Sequence, residues 1–384
     1  MYGATLAGPG PAERERPVTA AAVLEAPRKP LAITGIDVEL PRAGEVMVEV
    51  GASGVCHSDI SVWNETLAHP MPLVLGHEAA GTVTGVGPGV TSVAPGDRVV
   101  LSWLAQCGTC FYCVHHQPQL CEVAGVAFAR GTLLDGSTRY RRGGQPLYQM
   151  AGLGTFTERC VVPEGAAVKI PDTIPLASAA LIGCGVLTGF GAAVNTAGIR
   201  VGDTVAVLGC GGVGLSAVQG ARIAGAGVII AIDLHEERLA MAARLGATHT
   251  LQPSGTLAKQ VRALTGGRGA DHVLEAAGRQ QTVRDAIRMT RRGGQVVLVG
   301  AAGDDVTVTL PAFSGVVMTE KVIRGSLYGS SDIRRDVPRL VSLYQSGLLK
   351  LDEMVTETFP FAQVNDAVEY CAAEKGARAV VVMP

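Results

Sequence analysis

The stretch from Thr204 to Gly214 narrows the choice of fold more than any other part of the chain. An apolar run, Thr204 to Leu208, passes directly into Gly209-Cys210-Gly211-Gly212-Val213-Gly214, and Leu215, Ala217 and Val218 continue at helical spacing. Glycines here let the turn close and let backbone N–H groups approach a pyrophosphate at the positive end of a helix. The next apolar run, Val228 to Ile232, leads into Asp233, 24 residues after Gly209 (233 minus 209). At that distance a carboxylate takes the adenosine ribose hydroxyls of a bound dinucleotide. A plain glycine turn packing a strand on a helix is the competing reading. Asp233 would repel a 2'-phosphate and is followed by Leu234 and His235 rather than by arginine, so NAD is expected over NADP. Arg238, one turn into the following helix, either touches the ribose or stays in solvent. Runs at His272 to Leu274 and Gln295 to Val299 extend the strand–helix alternation to about residue 327, which predicts a parallel sheet with Val299 among the coenzyme contacts.

Cys107, Cys110, Cys113 and Cys121 crowd one short span of a chain that has 9 cysteines. The two-residue spacings suit a shared tetrahedral zinc better than a disulfide pair or a reactive thiol. Four thiolates close the coordination sphere, so this loop stabilises and a second site must carry any chemistry.

At 384 residues the chain exceeds one hydrophobic core, and two domains are expected. From Val18 to about Ile170 short alternating runs, such as Glu45 to Val50 and Gly81 to Val86, are punctuated by Pro and Gly, so this half is mostly β. Glu122 to Gly154 is polar, lacks a clear period and reads as a long excursion. Helical stretches near Val337 to Gln345 and Val364 to Ala373 and a strand at Ala379 to Val382 are assigned back to the first domain. Met1 to Pro17 carries no apolar signal segment and reads as a short flexible tail; no apolar run approaches the roughly 20 residues needed to span a bilayer. A cytoplasmic location is expected. With 32 Lys+Arg against 34 Asp+Glu there is no basic face for nucleic acid, which counts against a zinc-ribbon binder.

Cys56-His57-Ser58-Asp59, Gly76-His77-Glu78 and Gly183-Cys184-Gly185 supply thiolates, imidazole and carboxylates outside the four-cysteine loop. A Cys2His set leaves one zinc position open for water or substrate. Taken singly, a cysteine between glycines is more often core packing.

Together these motifs resemble the zinc-dependent alcohol dehydrogenases of the medium-chain dehydrogenase/reductase superfamily. Arg130-Gly131-Thr132 and Asp135-Gly136 are similar to the longer, dimeric enzymes of that family. The resemblance implies an α/β chain: a GroES-like, mostly-β catalytic domain (residues 1–185 and 328–384) and a Rossmann, doubly wound coenzyme domain (186–327). It implies two zinc ions per chain, a catalytic one on Cys56, His77 and Cys184 and a structural one on Cys107, Cys110, Cys113 and Cys121. Asp59 would fix the tautomer of His77, and Glu78 would sit behind the metal. His57 and Arg378 would clamp the pyrophosphate, Thr188 and Val213 would back the nicotinamide, and Ser58 would accept the alcohol proton. Where many relatives carry an outer relay histidine this chain has Ser61, so the proton is expected to leave through the ribose and water or through His57. Trp103, Leu67 and Leu327 would wall a channel for primary aliphatic or aromatic alcohols and aldehydes. Gly125 stands where glutathione-dependent formaldehyde dehydrogenases carry arginine. A formaldehyde dehydrogenase for another thiol adduct, such as mycothiol, is the runner-up, and a non-catalytic NAD-binding protein the reading from another class. A homodimer is the expected assembly.

Overall fold

The C-terminal strand Arg378–Val382 does not end the parallel sheet that precedes it; it crosses back and pairs antiparallel with Glu45–Val55, setting Ala379 opposite Val55. This is seen in a computed structural model that describes residues 18–301, 303 and 306–384. The tail Met1 to Pro17 lies outside the described residues.

Glu45–Val55 is the centre of a seven-stranded sheet. Glu78–Val86, Arg98–Ser102 and Ala167–Ile170 extend it on one side, Arg378–Val382 and Val355–Pro360 on the other, and Arg159–Pro163 also pairs with the central strand. Its residues are buried nearly throughout, because the strand is covered on both faces. A small closed barrel, from Val18–Leu24 through Ala32–Val38 to Leu73–Val74, packs beside it.

The middle of the chain forms a six-stranded parallel sheet. Its order is His249–Leu251, Val228–Ile232, Thr204–Leu208, Ala270–Glu275, Thr290–Leu298, Val322–Gly325. Numbered within this sheet the order is 3-2-1-4-5-6, the doubly wound arrangement whose ligand crevice opens where the order reverses, between Thr204–Leu208 and Ala270–Glu275. The fold class read from the sequence is the one observed.

Helix Gly212–Ile223 follows the first of these strands. A Cβ on Gly214 would lie 1.7 Å from the Gly209 carbonyl oxygen, so only glycine lets the helix start so close to the turn. Gly214→Ala should therefore destabilise this unit by about 1–3 kcal/mol or more, read as a lowered midpoint in a calorimetric scan, because overpacking costs that much and the obstacle here is backbone. The same helix packs on Gly185–Gly191, where a Cβ on Gly189 would lie 2.0 Å from the Val213 carbonyl. That contact brings the Cys184 turn against the Gly209–Gly214 turn.

The segment 122–154 departs from the periodless excursion expected. It holds helix Glu122–Arg130 and an antiparallel pair, Tyr140–Arg142 with Gln145–Gln149. The helix buries only Ala124 and Ala127, while Val123 and Val126 face solvent, so no apolar period marks it. Gly143 and Gly144, both at positive φ, make the two-residue turn between the strands. Among the described residues no single helix is long and apolar enough to cross a membrane; the bent pair Leu176–Gly183 and Gly185–Thr196 passes such a test by length and composition, with Leu181, Ile182, Val186 and Phe190 all buried in the core.

Candidate active site

Cys56 ends the central strand region and stands at the N-terminus of helix His57–Trp63. The Asp59 carboxylate, three residues into that turn and fully buried, fixes it: Oδ2 accepts from the Cys56 amide at 2.8 Å. Its Oδ1 accepts from the Gly76 amide at 3.0 Å and faces His77 Nδ1 at 3.2 Å. One carboxylate thereby joins the two segments that carry Cys56 and His77.

With Nδ1 turned to Asp59, the other ring nitrogen of His77 is buried and has no hydrogen-bond partner. An orphaned buried imidazole nitrogen costs free energy unless something accepts its lone pair. The sulfurs of Cys56 and Cys184 supply the neighbours: the ligand atoms of Cys56, His77 and Cys184 lie within 4.8 Å of one another, all on buried residues. Two thiols and an aimed imidazole nitrogen fit a zinc ion with one open position.

The Cys184 thiol beside it and, after opposing burial, the Arg378 guanidinium hold Cys56 well below an ordinary thiol, whereas Cys184, next to Cys56 and buried, is held well above. A cation in the set would favour the thiolate form of both. Burial works against charge on His77, yet the Asp59 carboxylate and Cys56 keep it well above its usual range. Glu78 lies behind the set, its Oε2 accepting from the Gly185 amide at 2.9 Å and its Oε1 3.2 Å from Arg378 Nε. Burial pushes its carboxyl up to about 7 against the pull of Arg378. Arg378 also places Nη2 3.7 Å from Cys56 Sγ.

A cavity of about 590 Å³ runs from this set along the carboxyl ends of the parallel strands, past Leu208, Ile232, Ala276 and Val299. At the inner end Cys56, His77, Cys184 and Ser58 meet Trp103, Leu67 and Leu327. In the middle stand His57, Thr188, Val213, Val299 and Arg378, and at the outer end Gly209, Gly211, Gly212, Gly214, Asp233 and Arg238. Asp59 and Glu78 stay behind the wall. Asp233 is oriented by backbone: Oδ2 accepts from the Cys210 amide at 2.6 Å and Oδ1 from the His235 amide at 2.9 Å.

The four-cysteine loop is separate. Cys107 Sγ lies 4.0 Å from Cys113 Sγ and Cys110 Sγ 3.9 Å from Cys121 Sγ. The edge of a zinc–thiolate tetrahedron with bonds of about 2.3 Å is about 3.8 Å, so the sulfurs already stand near their places. All nine cysteines are free of disulfides. Burial opposes ionisation of Cys107, but amide N–H groups of Thr109 and Cys110 bring its thiol down to about 6.

Residues 42–172 match the alcohol dehydrogenase GroES-like domain family and residues 212–346 the zinc-binding dehydrogenase family. The chain is 42% identical over 369 residues to an NDMA-dependent alcohol dehydrogenase of Amycolatopsis methanolica, covering 95% of this chain and 98% of that one. The chain belongs to the zinc-dependent alcohol dehydrogenases. An S-(hydroxymethyl)glutathione dehydrogenase of Escherichia coli is 40% identical over 365 residues, 94% of this chain and 98% of its own. Among solved structures, a zinc-binding alcohol dehydrogenase domain protein of Burkholderia ambifaria superposes with a TM-score of 0.91 at 34% identity, covering 96% of this chain and 99% of that one. Benzyl alcohol dehydrogenase of Acinetobacter calcoaceticus superposes at 0.90 with 28% identity, covering 95% and 99%.

In this alcohol dehydrogenase the cavity also has walls that sequence reasoning missed: Phe128, Met150 and Tyr328 at the inner end, and Arg279 and Glu374 at the outer. Phe128 sits on the helix hidden in 122–154. Arg238, expected at the ribose or in solvent, is turned from solvent: Nη1 stands 4.0 Å from the Asp233 carboxylate, while Nε and Nη2 donate to the carbonyls of Gly376 and Glu374. Arg279 bonds the Glu374 carboxylate at 2.7 Å, and His235 Nε2 stands 3.8 Å from it. The loop carrying Glu374 is thus strapped across the outer mouth.

Proposed function

We propose that the protein transfers a hydride between a primary alcohol, aliphatic or aromatic, and NAD, its catalytic unit formed by residues 1–185 and 328–384 and its coenzyme unit by 186–327. The observation that carries this is the buried, unpartnered His77 nitrogen between two cysteines at the foot of a cavity that ends at Asp233. Cys56, His77 and Cys184 would hold a catalytic zinc, and Cys107, Cys110, Cys113 and Cys121 a structural one.

When bound, the catalytic ion supplies Lewis acidity that makes the alcohol a stronger acid, and the nicotinamide accepts the hydride. The chain's own residues do the rest. Asp59 keeps the His77 proton on Nδ1 and so leaves Nε2 free to ligate. Ser58, bordering the cavity with its hydroxyl 3.9 Å from Cys56 Sγ, takes the alcohol proton. His57 borders the same cavity and is exposed, so it offers that proton a way to water. Ser61 is buried and does not reach the cavity, consistent with no outer relay through that position. Leu67, Trp103, Phe128 and Met150 make the inner wall apolar, which suits a hydrocarbon or aromatic tail and excludes water.

NAD is favoured because Asp233 occupies the ribose position, where its carboxylate would repel a 2'-phosphate, and Arg238 faces that carboxylate with Nη1 and gives its other two nitrogens to backbone carbonyls. With NADH in place, the Glu374 strap should slow its release; Glu374→Ala should raise the dissociation rate up to about fivefold in stopped-flow fluorescence, the scale of a surface ion pair. We place the protein in the cytoplasm, where the thiols of both ligand sets stay reduced. Its partner is a second copy, joined at the exposed edge strand Val322–Gly325.

The test is a panel of ethanol, longer alcohols, benzyl alcohol and their aldehydes, each with NAD, NADP and NDMA, plus formaldehyde with and without glutathione or mycothiol. Benzyl alcohol with NAD is expected to give the highest kcat/KM. Formaldehyde oxidation that requires a thiol would favour the thiol-adduct reading instead, though Gly125 leaves open space where an anchoring arginine would stand.

A further inference from the structure

Where the chain leaves the parallel sheet after Val322–Gly325 to return to the mixed sheet, Tyr328, Gly329 and Ser330 adopt φ of +52°, +67° and +49° in succession. Tyrosine and serine rarely enter this left-handed region, and such backbone persists only where surrounding contacts over-determine it. Here the contacts converge on the Tyr328 side chain, which is 2% exposed although it borders the cavity.

Its phenol donates to the Gly183 carbonyl. A carbonyl has no proton to return, so the phenol oxygen must accept from the Ser102 hydroxyl, 3.0 Å away. Ser102 Oγ in turn accepts from the Leu104 amide at 3.2 Å. The chain of bonds therefore runs one way, from Leu104 N–H through Ser102 and Tyr328 to the Gly183 carbonyl.

Both ends of that chain bear on the site. The Gly183 carbonyl belongs to the peptide that enters Cys184, and the peptide leaving Cys184 is tied by the Gly185 amide to Glu78. Cys184 is thus pinned on both sides, by Tyr328 and by Glu78. Ser102 and Leu104 flank Trp103, whose indole meets the Tyr328 ring edge-on with centroids 4.9 Å apart.

We propose that Tyr328 is a positioning residue for alcohol oxidation: through the Gly183 carbonyl it sets where Cys184 Sγ stands, and through Ser102 and the ring contact it sets Trp103. It thereby fixes the gap between the metal set and the apolar wall. The assignment rests on the zinc reading above.

The test uses the full-length enzyme with cobalt(II) in place of the cavity metal and zinc kept in the four-cysteine loop. Tyr328→Phe keeps the ring contact and leaves the buried Gly183 carbonyl without its donor. Altered thiolate–cobalt and d–d bands are expected, with cobalt release to a chelator faster by about tenfold or more, the scale for groups that orient metal ligands. On the zinc enzyme, kcat/KM for benzyl alcohol should fall while the KM for NAD holds. A Tyr328→Phe protein with the parent's cobalt spectrum and release rate would overturn the assignment. Should that variant fail to fold, Ser102→Ala decides: a changed ratio of kcat/KM for benzyl alcohol over ethanol supports the proposal, and an unchanged ratio overturns it. A parent lacking any thiolate–cobalt band would contradict the zinc reading itself, and the proposal with it.

Discussion

His77→Ala should lower alcohol oxidation by about three orders of magnitude or more while leaving the metal of the four-cysteine loop in place. The loss follows from what the imidazole does: without Nε2, two thiols alone must hold the ion, and Lewis-acid stabilisation worth several kcal/mol is forfeited. The fold also loses stability, because the buried Asp59 carboxylate gives up its imidazole partner, though it keeps its bonds to the Cys56 and Gly76 amides. The readouts are kcat/KM with benzyl alcohol and NAD, metal content, and a calorimetric scan. A variant that oxidises alcohol within tenfold of the parent would show that the ion, if bound, takes no part in the chemistry.

Cys110→Ala should do the reverse. The four-cysteine loop contributes no residue to the cavity, and Phe111 and Val114 within it are exposed, so little hydrophobic packing holds the loop when its sulfurs are not bridged. Structural zinc contributes folding free energy outright, about 10–16 kcal/mol in isolated fingers. Part of that is expected here, several kcal/mol, which at roughly 2–4 °C per kcal/mol lowers the midpoint by about 10 °C or more. Below the transition the folded fraction should still bind one metal and turn over alcohol at close to the parent's kcat. Loss of activity without loss of stability would place the loop in the catalytic machinery instead.

The two variants separate a metal that acts from one that holds, a division already visible in the spacing of the residues. Four cysteines within one loop, a glycine turn after an apolar run, and an acidic residue closing the next run are local patterns, and each lies in the structure where local chemistry puts it. Cys56, His77 and Cys184 are far apart in sequence and are gathered by the central strand Glu45–Val55, its neighbour Glu78–Val86 and the turn before helix Gly185–Gly191. Spacing alone could not gather them; the family resemblance did.

What stayed illegible has physical reasons. Helix Glu122–Arg130 buries two alanines and carries valines in solvent, so its period is silent, and Phe128 was missed with it. Tyr328 is one apolar residue in a chain rich in them, and only its bonds to Gly183 and Ser102 single it out. Arg238 was read from its place one turn into the helix after Asp233, and its Nη1 does stand 4.0 Å from that carboxylate, but its hydrogen-bond partners come from a loop 136 positions away, where Glu374 sits at positive φ. Contacts across the sheets leave no periodic trace in the residues that make them.

The most direct measurement is an anomalous difference map from crystals of the enzyme as purified, collected at the zinc edge. Two peaks per chain are predicted, one among Cys107, Cys110, Cys113 and Cys121 and one bounded by Cys56 Sγ, Cys184 Sγ and His77 Nε2. A peak in the four-cysteine loop alone, from protein that oxidises alcohols at full rate, would contradict the account.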